Sequence, residues 1–175
     1  MSSLVKTFCP AFLIALAMII MPLISIGAET VTLPNGAKLD LSAKCPVCNM
    51  EVRSSTLGPA AVVFKDGTAV GFDSTGDMFR YLLDPKKHGF QQDNVEHVFV
   101  TQYGTKNFID AKLAVYVVGS DVKGSMGPEV VPFAEKGEAE KFMTAHHGKS
   151  VVPFAKVGLS DLKPKKGLLK MEHSH

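Results

Sequence analysis

The sequence predicts an α+β protein, two ββαβ repeats packed together and preceded by an N-terminal signal segment. Three observations carry that prediction. The order strand, strand, helix, strand is legible twice along the chain. Val70-Gly71-Phe72 with Gly76 matches Val131-Pro132-Phe133 with Gly137 at a constant offset of 61, which also aligns Leu82 with Met143. Finally, residues 11–26 (AFLIALAMIIMPLISI) form an apolar run without a single charge.

Composition narrows the class. The chain has 175 residues, the length of one domain or two very small ones. Hydrophobic residues make up 46% and charged residues 21%, the balance of a globular chain and not a disordered one. Net charge is +2 and no long run carries one sign, so no nucleic-acid surface is indicated. Three cysteines are too few for a disulfide scaffold.

Residues 1–28 read as a signal peptide or membrane anchor. Lys6 precedes the apolar run and Gly27-Ala28 follows it, which places cleavage after Ala28. The run also lies near the lower limit of roughly 17 residues for a spanning helix, so a retained anchor and membrane association through residues 11–26 stay open. Cys9 precedes the run, where a lipoprotein cysteine would follow it. Export puts the remaining pair, Cys45 and Cys48, in a compartment where disulfides persist.

Residues 29–59 form an N-terminal segment. Pro34-Asn35-Gly36 is a turn between two alternating stretches, a short hairpin, and the cysteines follow it. The first ββαβ unit spans 60–111. Strands at 60–64 and 68–72 flank the turn Lys65-Asp66-Gly67. Ser74 stands where a helix starts, with Asp77 three residues on as an acidic variant of the capping box. Met78, Phe79, Leu82 and Leu83 give a buried helical stripe, Asp84-Pro85 ends it, and 95–101 is the next strand. The second unit spans 112–162. It has strands at 113–118 and 129–133, a glycine-rich loop at 119–128 between them, a helix at 137–147 and a strand at 150–154. Each unit alone is marginal in size, so the two are expected to share a core. Residues 163–175 (KPKKGLLKMEHSH) read as a flexible tail ending in Met171, His173 and His175.

The chemistry centres on Cys45-Pro46-Val47-Cys48-Asn49-Met50. Asn49 excludes haem attachment, which needs histidine there. A structural zinc site needs two more ligands, usually a second close pair, and the sequence shows none nearby. A thioredoxin-like pair would open a long helix, which residues 54–59 (SSTLGP) do not permit. Copper(I) fits better, because this soft ion takes two or three thiolate or thioether ligands. The plainer reading has Cys45 and Cys48 in a local disulfide and Met50 filling a core. Met126, between glycines in a polar loop, is a second sulfur candidate, though it too would serve as a core cap. His146 and His147 end the second helix, where the helix dipole favours histidine without any ligand role.

With the exported start, the segments CPVCNM, SMGPEVVPFA and AEKFMTAHHG resemble the NosL family, copper-binding accessory proteins for assembly of nitrous-oxide reductase. The resemblance covers roughly residues 43–157. It implies an exported chain of the periplasm or cell envelope, built from two ββαβ units and similar to part of the organomercurial lyase fold. It implies a non-enzymatic copper(I) chaperone whose partners are a copper-receiving enzyme, nitrous-oxide reductase, and its assembly machinery. Carried over residue by residue, it implies a metal set of Cys45, Cys48, Met50, Met126 and His147, with Cys48 and Met50 foremost. This chain lacks the lipid-attachment cysteine found after the apolar run in many members. A thiol–disulfide oxidoreductase using Cys45 and Cys48 is the alternative reading.

Overall fold

The computed structural model describes residues 29–54 and 56–163; the apolar run of residues 11–26 and the tail donors Met171, His173 and His175 lie outside them. An N-terminal hairpin, β1 (Thr30–Thr32) and β2 (Lys38–Asp40), closes through Asn35 and Gly36, whose φ of 89° is the left-handed geometry such a turn requires. The first unit follows as β3 (Ala60–Phe64), β4 (Ala69–Phe72), α1 (Thr75–Leu83), the short α2 (Pro85–His88), β5 (Val95–Thr101) and β6 (Phe108–Asp110). Its antiparallel sheet has the order β4-β3-β5-β6.

The second unit comprises β7 (Val115–Val118), the two-residue strands β8 (Lys123–Gly124) and β9 (Gly127–Pro128), β10 (Val131–Phe133), α3 (Lys136–Ala145) and β11 (Ser150–Pro153). Its main sheet has the order β10-β7-β11, so each unit places its first strand between the second and the one after the helix. The offset seen in the letters has a structural counterpart. Phe72 and Phe133 each end an edge strand, and Gly76 and Gly137 are each the second residue of a helix.

Strand alternation sorts the core. Ala60, Val62, Val98 and Val100 join Met78, Phe79 and Tyr81 of α1, and Tyr116 and Val118 of the second unit, in one cluster. The opposite face of the first sheet, Ala61, Val63 and Phe99, packs on Leu33 and Leu39 of the hairpin and on Val52. The opposite face of the second sheet, through Val117, Val131 and Phe133, packs on Ala139 and Phe142 of α3. Phe79 makes the seam between units, with ring centroids 5.1 Å from Tyr116 and 5.0 Å from Phe154.

Ser74 caps α1 as its side-chain oxygen accepts the Asp77 amide at 3.1 Å. The helix differs from the expected stripe in one place. Tyr81 is buried against Phe72 and Phe90, whereas Leu83 is 38% exposed. Two strands start two residues later than the sequence suggests. Leu113 is 81% exposed because a turn over residues 110–114 precedes β7, with the Ala114 amide donating to the Asp110 carbonyl at 3.1 Å. β10 begins at Val131 because the Glu129 carboxylate folds back to accept the Val130 amide. Among the described residues, no helix is long and apolar enough to cross a membrane.

Candidate metal centre

The cysteine segment is a closed loop at the end of an extension of the N-terminal hairpin. The Val52 amide donates to the Ala43 carbonyl and the Arg53 amide to the Leu41 carbonyl, each at 3.0 Å, and Lys44 and Glu51 form a bridge. Between them the Cys45 amide donates to the Met50 carbonyl at 2.8 Å and the Asn49 amide to the Cys45 carbonyl at 2.9 Å. Asn49 takes a φ of 63°, which asparagine tolerates better than most residues. This tight turn aims the amides of Val47 and Cys48 at the Cys45 sulfur. Val52, fully buried against the first sheet, fixes the loop's base.

Opposite the loop stands the junction of β4 and α1. β4 is an edge strand, and its end delivers Asp73 and the buried Asp77 to the two thiols. Cys48 Sγ lies 3.0 Å from Asp73 Oδ1, and Cys45 Sγ lies 3.7 Å from Asp77 Oδ2. One ligand atom from each of Cys45, Cys48, Asp73 and Asp77 falls within 4.8 Å of all the others. Both thiols are free. The disulfide reading is therefore not what the fold displays.

The second unit closes the site from a third side. The β8–β9 hairpin carries Ser125, whose hydroxyl donates to Asp73 Oδ2 at 2.9 Å. Arg80 donates to Asp77 Oδ1 at 2.7 Å, to the Leu162 carbonyl at 2.8 Å and to the Met126 carbonyl at 3.4 Å. Glu129, buried beneath, accepts the Gly76 amide and ties this hairpin to the start of α1. A cleft of about 180 Å³ opens beside the cluster, lined by Met50, Asp73, Gly124 and Ser125 among others.

Electrostatics keep the thiols protonated. Burial pushes the Cys45 thiol up, against the pull of the Cys48 and Val47 amides. Cys48 rises strongly, through burial first and then through its hydrogen bond to Asp73. For Asp73, burial opposes ionisation, but hydrogen bonds from Cys48, Cys45 and Ser125 overcome it and hold the carboxyl below its usual value. Asp77 is raised by burial, with the charge of Asp73 adding to it and Cys48 and Arg80 pulling the other way. A redox-active cysteine works as a thiolate with a lowered pKa, so this environment disfavours the oxidoreductase reading.

The sequence-predicted residues separate clearly. Cys45 and Cys48 meet in the cluster. Met50, 42% exposed, lines the adjoining cleft, and Met126, 47% exposed, sits on the hairpin bonded to Asp73 and Arg80. His147 stands elsewhere, at the end of α3 on the other face of the second sheet. Its φ of 52° puts it in the left-handed position that commonly closes a helix, and the next amide, Gly148, donates to the Met143 carbonyl. His146 packs on Phe142 and lies 2.9 Å from Asp121. Asp73 and Asp77 were not singled out as site residues from the sequence. Asp77 reads there as a capping-box acid, yet its carboxylate turns away from the cap toward Cys45 and Arg80. With two carboxylates beside the thiols, the shortage of further ligands no longer argues against a borderline divalent ion such as zinc.

Residues 36–161 match the family model NosL. The chain is 30% identical over 120 residues to the copper-binding lipoprotein NosL of Stutzerimonas stutzeri, covering 66% of this chain and 62% of that protein. It is 33% identical over 105 residues to the copper-binding lipoprotein NosL of Achromobacter cycloclastes, covering 53% of this chain and 52% of that one. These matches thus span less than two thirds of either relative's own length. The fold is similar to the crystal structure of the copper chaperone NosL from Shewanella denitrificans. That likeness has a TM-score of 0.57 at 31% identity, covering 69% of this chain and 93% of the other.

Proposed function

The chain belongs to the NosL family, and from that premise we propose that it is an exported copper(I) carrier, not an enzyme, that hands the ion to a receiving enzyme. One observation carries the reading. Two free thiols are held side by side at the rim of a fold, each against a carboxylate, with an exposed thioether beside them. Thiolate and thioether sulfur select a soft ion such as copper(I). The proposed ligands are Cys45, Cys48, Met50 and Met126; His147, on the far face of the second sheet, serves as the comparison.

Loading replaces two S–H bonds by two S–Cu bonds and sends two protons toward solvent. Asp73 and Asp77 already receive the thiol hydrogens, so each proton has an acceptor at the sulfur it leaves. Release runs the same path backward. The carboxylates disfavour the thiolates, which keeps the bound ion exchangeable. Met50 and Met126, exposed at the edge, are where a partner's ligands enter first.

Family membership supports nitrous-oxide reductase and its assembly machinery as the receiving side, and an envelope location reached through residues 1–28. Anaerobic copper(I) titration of the reduced full chain tests the reading. We expect one tight equivalent, lost in Cys48→Ala, weakened in Met50→Ala and Met126→Ala, and kept in His147→Ala. Unchanged affinity in both Cys48→Ala and Met50→Ala would sink it. The two carboxylates favour a second reading, a zinc ion held by Cys45, Cys48, Asp73 and Asp77. Both carboxylates are already engaged, by Ser125 and Arg80, which weakens them as ligands. A parallel zinc titration with Asp73→Asn decides between the two.

A further inference from the structure

The cleft beside the thiols is too small for a free ligand and is open to a second protein. Met50, Asp73, Ser74, Lys123, Gly124 and Ser125 line it. At about 180 Å³ it falls below the roughly 300–1,000 Å³ of a small-molecule pocket. It has room for one side chain. Its wall is bare backbone at Gly124, where a Cβ would run into the Glu129 carboxylate. Asp73 lines the cleft and also bonds Cys48, so a side chain seated there arrives beside the more accessible thiol.

Two properties of the mouth point to a partner. The first is apolar. Met50 lines the cleft and Met126 follows Ser125 at the tip of the β8–β9 hairpin, and both thioethers are exposed. Methionine is enriched in protein interfaces, where its flexible side chain adapts to the opposing surface. The second is charge. Asp73 accepts hydrogen bonds from Cys48 and Ser125, and Asp77 pairs with Arg80. On the cysteine loop, Lys44 pairs with Glu51, and Arg53 with Glu29 and Glu51. Lys123 is exposed at the cleft, and its ammonium has no ion pair among the described residues. Its backbone is fixed, because Lys123 pairs with Pro128 while Ser125 and the Met126 carbonyl are held by Asp73 and Arg80.

We propose that this mouth is the docking surface for the receiving protein, which seats one soft-donor side chain in the cleft and sets an acidic residue against Lys123. This rests on the copper reading of the preceding subsection. With a thiol donor the exchange balances. A Cu–S bond forms to the incoming sulfur as the Cu–S bond to Cys48 breaks, and the proton shed by the incoming thiol ends on Cys48. Lys123 takes no part in that exchange. It selects the partner by charge, speeding encounter with an acidic surface and repelling a basic one. A rim charge of this kind acts on the association rate and its salt dependence.

The probes are two synthetic peptides of equal length, each with one Cys-x-x-Cys pair, flanked by aspartates in one and by lysines in the other. Reduced full-length protein loaded with copper(I) is mixed anaerobically with each peptide. Rapid desalting at intervals, with copper counted in the protein fraction, gives the transfer rates. The reading is the ratio of the two rates, acidic over basic, because the protein's own hold on the ion is common to both. The unaltered chain is expected to favour the acidic peptide, and Lys123→Arg to keep that preference. Lys123→Glu is expected to lower the ratio about tenfold at low salt, and the shift to fade near 1 M salt, where screening acts within roughly 3 Å. A ratio in Lys123→Glu equal to that of the unaltered chain overturns the docking surface. So does an equal drop in Lys141→Glu, on α3 against the other face of the second sheet, since that reads net charge alone. A thiol variant (Cys45→Ala, Cys48→Ala) that carries and transfers copper like the unaltered chain overturns the copper reading itself. An empty thiol variant beside an unaltered chain that transfers without charge preference overturns the docking surface only.

Discussion

Cys48 Sγ lies 3.0 Å from Asp73 Oδ1, so the more accessible thiol of the pair is a hydrogen-bond donor to an ionised carboxylate. That bond stabilises the neutral thiol and opposes the thiolate, in addition to the larger effect of burial. Asp73→Asn removes the charge and keeps the shape. Cys48 is then expected to react faster with an alkylating agent at neutral pH, by roughly tenfold for each pKa unit recovered. Copper(I) affinity at neutral pH rises in the same variant, and transfer to a competing chelator slows. Alkylation rates no faster than in the unaltered chain would show that Asp73 does not control the thiol.

Copper binding is expected to weaken as pH falls. Both thiols are raised above their usual value, so they are protonated in the free protein at neutral pH and must lose their protons to bind. Each thiolate formed makes the logarithm of affinity rise by about one per pH unit until the thiol pKa is passed. Chelator competition between pH 6 and 8 measures the slope. About two indicates that both cysteines bind, about one that a single cysteine does, and zero contradicts thiolate coordination.

Arg80 joins three parts of the chain through one guanidinium, reaching Asp77, the Met126 carbonyl and the Leu162 carbonyl. Its partner Asp77 is fully buried. Arg80→Leu leaves that carboxylate without its counter-charge and is expected to cost about 3 kcal/mol of stability. Arg80→Lys restores the charge but not the planar fork, and recovers only part of the loss. Thermal melting of the metal-free protein reads both, and a melting point unmoved in Arg80→Leu contradicts the bridge.

Glu129 is raised from 4.5 to about 7, chiefly by burial, against hydrogen bonds from the Val130 and Gly76 amides that favour its ionised form. The folded state therefore holds this proton to higher pH than the unfolded chain does. Its contribution to stability is fully present below the unfolded pKa of 4.5 and is lost as pH rises through about 7. Glu129→Gln cannot titrate. Measured against it, the unaltered chain is expected to lose up to about 3 kcal/mol of relative stability between pH 4.5 and 8. Denaturant unfolding at several pH values checks this; a difference constant with pH would show that Glu129 does not carry the proton.

Much of the fold is legible because its signals are local. The turns at Asn35-Gly36 and Asp66-Gly67, the Ser74 cap and the valine-rich runs each write their element into a few adjacent letters. β6 escapes because three half-buried residues, Phe108–Asp110, make no run of their own and are held by pairing with β5. The site is legible only in its sulfurs. Cys45, Cys48 and Met50 stand close in sequence, whereas Asp73 and Asp77 reach the thiols only through the β4–α1 junction. Glu129 looks like the start of a strand, and only the folded chain shows its carboxylate under α1. For His147 the family pattern and the geometry differ in what they suggest. A histidine beside a glycine at a helix end also satisfies the left-handed closure of α3, which needs no metal.

The cluster is assembled from three stretches far apart in the chain: the loop before Val52, the junction at Ser74, and the hairpin around Ser125. An unfolded chain offers only a flexible pair of cysteines, no better than any small dithiol. On the copper reading proposed above, retention of the ion would therefore report completed tertiary structure. A molecule that has not closed its second unit against its first lacks the Ser125 hydroxyl on Asp73 and the Met126 hairpin that Arg80 holds. Under the function proposed above, loading would thereby be confined to the finished chain.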